Sequence, residues 1–372
     1  MSDFEGEDKL DEILRHVDPR SDLDSVPATE AVDKYLESRS SEVTGNTRSE
    51  YEAKLGNFIE FCDQRDIEQV KNLDGAALDD LKVWIREEVP EVTKEYSPKT
   101  MRDQMYLLRN FLRYLEQIEA VPAGLHEKVD VPELESDDGV SDEFLEAERV
   151  RSILDHLSTF EYASREHVVW LLLSLTGGRK GAIHSLDVDD CHVDGENYIE
   201  FRHRPEQGTR LKNGMKSERE VSIPASAAEA FSDYVETTRI GVTDDYERRP
   251  LLTTKYGRVS KSTLTKDVYK WSRPCMISDD CPHERSVDEC SAATNLDVAS
   301  KCPSSASPHR VRTGYLTTER KNGAPKEVLS ERCDVSESIL EKHYEFLSEE
   351  EQRKMRQRIL KEVRGDSDGY AG

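Results

Sequence analysis

Two arginines, a histidine and a tyrosine stand at positions from which they could act together on a phosphodiester. Arg179 directly follows Gly177-Gly178. The glycines allow a tight turn, and the arginine then opens a helix whose first N–H groups favour anions. His309 and Arg312 lie three residues apart in Ser307-Pro308-His309-Arg310-Val311-Arg312, a spacing that puts both side chains on one helix face. Tyr344 follows 32 residues after Arg312, in Leu340-Glu341-Lys342-His343-Tyr344. Breaking a phosphodiester without a metal takes a nucleophile in line with the leaving oxygen, cations on the non-bridging oxygens and a proton donor for the leaving 5′-oxygen. Arginine suits the second task because its planar fork donates two parallel bonds and stays charged, and tyrosine can serve as a nucleophile. Each residue alone reads more simply: a helix-start arginine, a structural histidine, a packed tyrosine with a wet hydroxyl. Their order and spacing carry the reading.

These residues need elements to hold them, and the pattern is mostly helical. Tyr51, Leu55, Phe58, Ile59 and Cys62 fall on one face of an amphipathic helix, as do Leu78, Leu81, Trp84 and Ile85 on a shorter one. Ser97-Pro98 reads as a cap followed by proline at the first helical position, opening a helix with Met101, Met105, Leu108, Phe111, Leu112 and Leu115 on one face. This predicts a helical domain over residues 26–126, after an acidic tail over 1–25. Between residues 127 and 148 there are ten acidic residues and one basic one, with Pro132 and Gly139 as breakers, so 127–146 reads as a linker. A second domain is expected over 147–363, with a short tail over 364–372. It contains two strand candidates, 198–203 and 219–224, flanking an Asn213-Gly214 turn signal. The expected class is mainly α with a small β-hairpin or sheet, in two domains.

The charge argues the other way. With 77 acidic and 52 basic residues the formal net charge is −25, whereas a nucleic-acid binder is expected to be basic on its binding face. Charge alone favours an acidic protein that never touches DNA. A molar-salt cell interior offers a resolution. There the Debye length falls to about 3 Å and long-range repulsion from DNA largely disappears. The composition resembles that of a halophilic archaeal protein.

Taken together, Leu173–Arg179 continuing to Ile183 and Leu186, Ser307–Arg312, Asn322-Gly323 and Tyr344 resemble the boxes of the tyrosine recombinase or phage-type integrase family, Xer-like and similar to haloarchaeal members. The Asn46-Thr47-Arg48…Tyr51 and Ser97-Pro98-Lys99-Thr100 stretches resemble the family's helical core-binding domain, so the likeness covers most of the chain. The resemblance implies that Arg179 and Arg312 clamp the scissile phosphate and that His309 assists proton transfer or phosphate binding. Tyr344 would attack to give a 3′-phosphotyrosyl bond and a free 5′-hydroxyl, and rejoining would need neither metal nor ATP. The lysine for the leaving oxygen is expected at Lys212, ending the first strand before the turn, with Lys216 as the competing candidate. Two positions depart from the pattern. Ala182 stands where the family carries an acid three residues after the first arginine. In the third box Arg332 is the nearest candidate in place of histidine or tryptophan, although arginine is a poor proton shuttle. The implied partners are double-stranded DNA and three further protomers on paired DNA sites, with residues 349–363 as the exchanged segment. Two other readings stay open: a non-cleaving DNA binder on the same fold, and a tyrosine-type topoisomerase.

Arg48, Lys54, Lys99, Arg102 and Arg109 in the first domain, and Arg258, Lys261 and Lys266 in the second, are candidate DNA-backbone contacts or else solvated, ion-paired faces. Four of the seven cysteines, Cys275, Cys281, Cys290 and Cys302, crowd an insert over 275–302 with His283 nearby. The separations do not match close Cys-x2–4-Cys zinc modules, so a structural zinc and plain buried thiols remain alternatives. No apolar run approaches the ~18 residues of a membrane span, and no basic-then-apolar leader is visible. A soluble cytoplasmic, nucleoid-associated protein is expected.

Overall fold

The computed structural model describes residues 20, 22–89, 96–134, 143–278, 280–345 and 349–364, with the side chains of Asn46, 342–345, 351 and 362–364 outside that set. The chain divides into two compact units, residues 1–140 and 141–372. Among the described residues no helix is long and apolar enough to cross a membrane.

Among the described residues the first unit has four α-helices: α1 (Ala28–Ser38), α2 (Gly45–Gln64), α3 (Gly75–Glu87) and α4 (Pro98–Gln117). Their starts are set locally. Thr44, Asp74 and Ser97 each accept a hydrogen bond from the N–H three residues on, and Pro98 occupies the first helical position. The apolar faces read from the sequence meet in one core, where Tyr35 and Phe58 both pack edge-on to Phe111, with centroids at 5.4 and 5.3 Å. The core runs past the expected domain end. Leu125 and Val129 are buried and Val131 packs against them, because the start of the acidic stretch carries apolar residues that find this core. The region read as a tail also docks at its end, with the Asp24 N–H bonded to the Glu119 carbonyl at 3.0 Å.

The second unit begins with α5 (Ala147–Phe160), α6 (Arg165–Thr176) and α7 (Lys180–Ser185). An antiparallel sheet in the order β1 (Cys191–His192), β2 (Tyr198–Phe201), β3 (Arg219–Ser222) follows, then α8 (Ala225–Asp233) and the hairpin β4 (Thr253–Thr254) and β5 (Gly257–Arg258). The rest is helical: α9 (Lys261–Ser272), α10 (Ser291–Thr294), α11 (Pro308–Lys321), α12 (Lys326–Cys333), α13 (Glu337–Glu345) and α14 (Glu349–Arg364). The paired strands β2 and β3 bury Ile199, Phe201 and Val221 on one face. The first of them ends at Phe201, well before the Asn213-Gly214 turn signal, and does not run on to Lys212 as expected. The chain between them makes two 3-10 turns, Pro205–Gln207 and Gly214–Ser217, so Lys212 lies in a loop rather than at a strand end.

Two close contacts explain features that pattern alone could not. Leu145, inside the stretch read as linker, is buried, and its N–H bonds the Arg310 carbonyl at 3.2 Å. Its own carbonyl passes so near α11 that a Cβ on Gly314 would come within 2.1 Å of it, so only glycine fits there. Beneath the sheet, Asp187, Asp190 and Asp244 bind Arg204, Arg248 and Arg258 in a shared ion network. Arg258 also donates to the His184 and Leu186 carbonyls and is 10% exposed. Of the two readings left open for Arg258, a DNA-backbone contact or an ion-paired face, the structure shows the ion pairs, with Asp187 and Asp244. The helix α14 packs against α11 of its own chain, with Met355 buried and Leu360 half exposed.

Candidate active site

The turn that presents Arg179 is made by the end of α6. Gly177 adopts φ 57°, and a Cβ there would meet the Tyr315 ring at 2.5 Å, so the chain passes this point only as glycine. Arg179 is then the N-cap residue of α7. On the facing helix, Ser307 caps α11 by accepting from the Arg310 N–H, and Pro308 starts it. This places His309 exposed on the first turn and Arg312 buried below it.

Arg312 is 4% exposed. It donates to the carbonyls of Gly177 at 2.6 Å, Cys333 at 2.7 Å and Asp334 at 3.3 Å. It therefore ties the glycine turn to the end of α12. Burial, with Arg179 and Arg219 nearby, pushes its pKa down to about 10, which still leaves a cation at neutral pH. The Arg179 guanidinium forms an ion pair with the Asp334 carboxylate. Asp334 caps α12 in the left-handed conformation, φ 51° and ψ 61°, which aspartate tolerates better than most residues. The same carboxylate accepts from Asn213 Nδ2 at 2.9 Å and Ser217 Oγ at 2.7 Å.

Two more arginines complete the network. Arg219 lies 4.2 Å over the Phe201 ring and donates to the Arg332 and Ser217 carbonyls, and burial pushes its pKa down to about 10. Arg332 donates to Tyr315 Oη at 3.0 Å and to the Leu175 and Ser222 carbonyls. Four guanidiniums thus share one network, and Asp334 is the only carboxylate hydrogen-bonded to any of them among the described residues. Such an excess of positive charge held by fixed carbonyls suits an anion. The helix α13, which carries Tyr344, starts three residues beyond Asp334 and packs on α11 and α12. The Tyr344 side chain lies outside the described residues.

No family model matches the sequence, and no curated protein matches it. Solved structures do. The Tn1549 transposon integrase, in complex with circular intermediate DNA, superposes with a TM-score of 0.63 at 13% identity, over 90% of this chain and 100% of that one. A lambda integrase dimer bound to a COC′ core site gives 0.58 at 12% identity, over 86% and 77%. The chain has the tyrosine-recombinase fold. An N-terminal domain of a phage integrase/site-specific recombinase from Haloarcula marismortui is 32% identical over 29% of this chain and 99% of that chain, with a TM-score of 0.27.

Within this recombinase fold the expected site residues separate into groups. Arg179 and Arg312 are joined through Asp334 and the Gly177 turn. Lys212 is exposed in the loop whose next residue, Asn213, bonds Asp334, and Lys216 is exposed on the same loop. Arg332 donates through Nε and one terminal nitrogen to Tyr315 Oη and to the Leu175 and Ser222 carbonyls. Asp334, Arg219, Asn213 and Ser217 were not anticipated. Their signal is spatial only, because Asp334 meets Arg179 across 155 residues of sequence.

The candidate DNA contacts divide similarly. Arg102 and Arg109 flank the exposed Tyr106 ring at 5.1 and 5.9 Å, and Arg109 also donates to the Val129 carbonyl. Lys99 and Lys261 are exposed at helix starts. Arg48, Lys54 and Lys266 are ion-paired with Glu52, Glu50 and Asp297. In the insert, Cys275, Cys281, Cys290, Cys302 and His283 line one cavity of about 10 Å³, and all four thiols are free. Among the described residues no three His, Cys, Asp or Glu side chains stand close enough together to hold a metal ion.

Proposed function

We propose that this chain cleaves and rejoins double-stranded DNA at specific sites. Tyr344 attacks the scissile phosphorus, a 3′-phosphotyrosyl ester forms, and the 5′-oxygen leaves with a proton from Lys212, His309 assisting. Attack by the 5′-hydroxyl on that ester reverses the step, so the bond is remade without ATP or metal. Arg179 and Arg312 hold the non-bridging oxygens as charge builds up. The observation that carries this reading is the convergence of Arg179 and Arg312 from distant helices onto the turn from which the Tyr344 helix departs. A nicked suicide duplex, which loses the leaving strand after cleavage, tests it. A covalent adduct is expected, whereas binding without adduct means a DNA binder that no longer cuts. Strand exchange between two sites, against supercoil relaxation alone, separates recombinase from topoisomerase. Four protomers on two sites are the proposed assembly, and Arg102, Arg109, Lys99 and Lys261 are the proposed backbone contacts.

The net charge of −25 makes a salt prediction. DNA affinity normally falls steeply with salt as counterions are released. Here long-range repulsion dominates at low salt, and it is screened as the Debye length drops from about 10 Å at 0.1 M to about 3 Å at 1 M. Site affinity is expected to rise or stay flat across that range of KCl, with folding followed by circular dichroism. A folded chain whose affinity falls monotonically refutes this account of the charge.

The cysteine insert is proposed to take a structural zinc ion, supported by the four thiols and His283 around one small cavity; binding would draw them inward. About one zinc per chain is expected by mass spectrometry of protein purified without chelator. Cys281→Ser and Cys302→Ser should lose it and melt earlier, with the cleavage chemistry unaffected. A metal-free protein whose melting temperature EDTA does not change rules the ion out.

A further inference from the structure

We propose that Asp334 is the positioning residue of this site, holding the Arg179 guanidinium and the Lys212 loop in one fixed arrangement. The inference rests on the cleavage reading above. Two segments distant in sequence meet on this one carboxylate: Arg179 at the start of α7, and Asn213 and Ser217 in the loop before β3. Its backbone carbonyl accepts from Arg312 at 3.3 Å, so both arginines are referenced to the same residue. The carboxylate is 15% exposed, and its two oxygens can accept all three donors at once.

Arg179 is a long side chain at the N-cap of a short helix, and its only ion pair among the described residues is with Asp334. Without that contact the guanidinium has its full rotamer freedom, which costs free energy to restrict each time a phosphate binds. The ion pair engages one terminal nitrogen of a five-donor group, so the others remain able to bond a phosphate. The bond to Asn213 places the residue next to Lys212 on the same anchor. The proton donor and the first phosphate clamp therefore keep their spacing through Asp334. Position 182, on the helix that Arg179 opens, is a buried alanine and provides no carboxylate. Asp334 provides one from the end of α12.

The test uses the full chain and two variants, Asp334→Asn, which keeps the shape and removes the charge, and Asp334→Glu, which keeps the charge. Three quantities are read: adduct formation in a single turnover on a nicked duplex, affinity for that duplex, and the rate of trypsin cleavage after Lys212. For Asp334→Asn the adduct rate should fall about 10–100-fold, the loss expected when a group is misplaced by roughly an ångström. Affinity should change little, and trypsin should cut after Lys212 several-fold faster as the loop loses its anchor. Asp334→Glu should recover part of both rates. In an Arg179→Ala background Asp334→Asn should slow the adduct little further, since the two act as a unit. If the carboxylate instead plugs the phosphate site, Asp334→Asn will bind DNA more tightly and cleave at least as fast, and positioning is overturned. Unchanged trypsin cleavage overturns it as well. Should the unaltered chain form no adduct at all, the cleavage reading fails, while the trypsin rates still decide whether Asp334 anchors the loop.

Discussion

Tyr344→Phe is expected to abolish covalent protein–DNA adducts and leave site binding intact. The substitution removes one oxygen and keeps the ring, so the packing of α13 on α11 and α12 should persist. The phosphate clamp at Arg179 and Arg312 is untouched, which keeps affinity. What disappears is the only atom proposed to bond phosphorus, and a nucleophile that works as a unit with its activators takes roughly 10⁵–10⁶-fold of rate with it. On a nicked suicide duplex the adduct band should drop to background, with an unchanged gel shift. Residual adduct at the original rate would show that another tyrosine attacks.

Arg179→Ala and Arg312→Ala should both lose cleavage, on the order of 10²–10³-fold for a lost charge-stabilising donor, but they should differ in what else they cost. Arg179 is partly exposed and its ion pair with Asp334 contributes at most about 1 kcal/mol to folding, as screened pairs do. Its alanine variant should melt near the parent temperature. Arg312 is buried and is the donor to the carbonyls of Gly177 and Cys333. Removing it leaves buried acceptors unpaired beside a void, a loss of about 3–5 kcal/mol by analogy with other broken buried charge networks. Thermal melts of the two variants beside adduct assays check both halves. Equal melting temperatures would mean that the carbonyl bonds of Arg312 hold little of the fold together.

The helices of the first unit were readable because everything that makes them is local. Ser97 and Pro98 start α4 within two residues, and Leu108, Phe111, Leu112 and Leu115 bury themselves at the helical period. The glycine turn before Arg179 and the cap before His309 were readable for the same reason, and so was the order of the chemistry-bearing boxes. Domain limits were less legible. Val129 and Leu145 lie in an acidic stretch whose composition reads as solvated linker, yet each finds a core of its own unit.

Charged residues show the divide most clearly. As letters, Arg258, Arg332 and Arg179 are equivalent: each is a cation beside a turn or helix end. In the fold Arg258 lies among Asp187, Asp244 and two carbonyls, Arg332 ties Tyr315 to Leu175 and Ser222, and Arg179 meets a carboxylate 155 residues away. Sequence by itself determined which segments become helices and where glycine turns can present an arginine, since periodicity and capping act within a few residues. Which guanidiniums are enclosed by carbonyls and which keep donors for a phosphate was decided only by tertiary structure. Desolvation depends on every segment that packs around a charge, and those segments are remote along the chain.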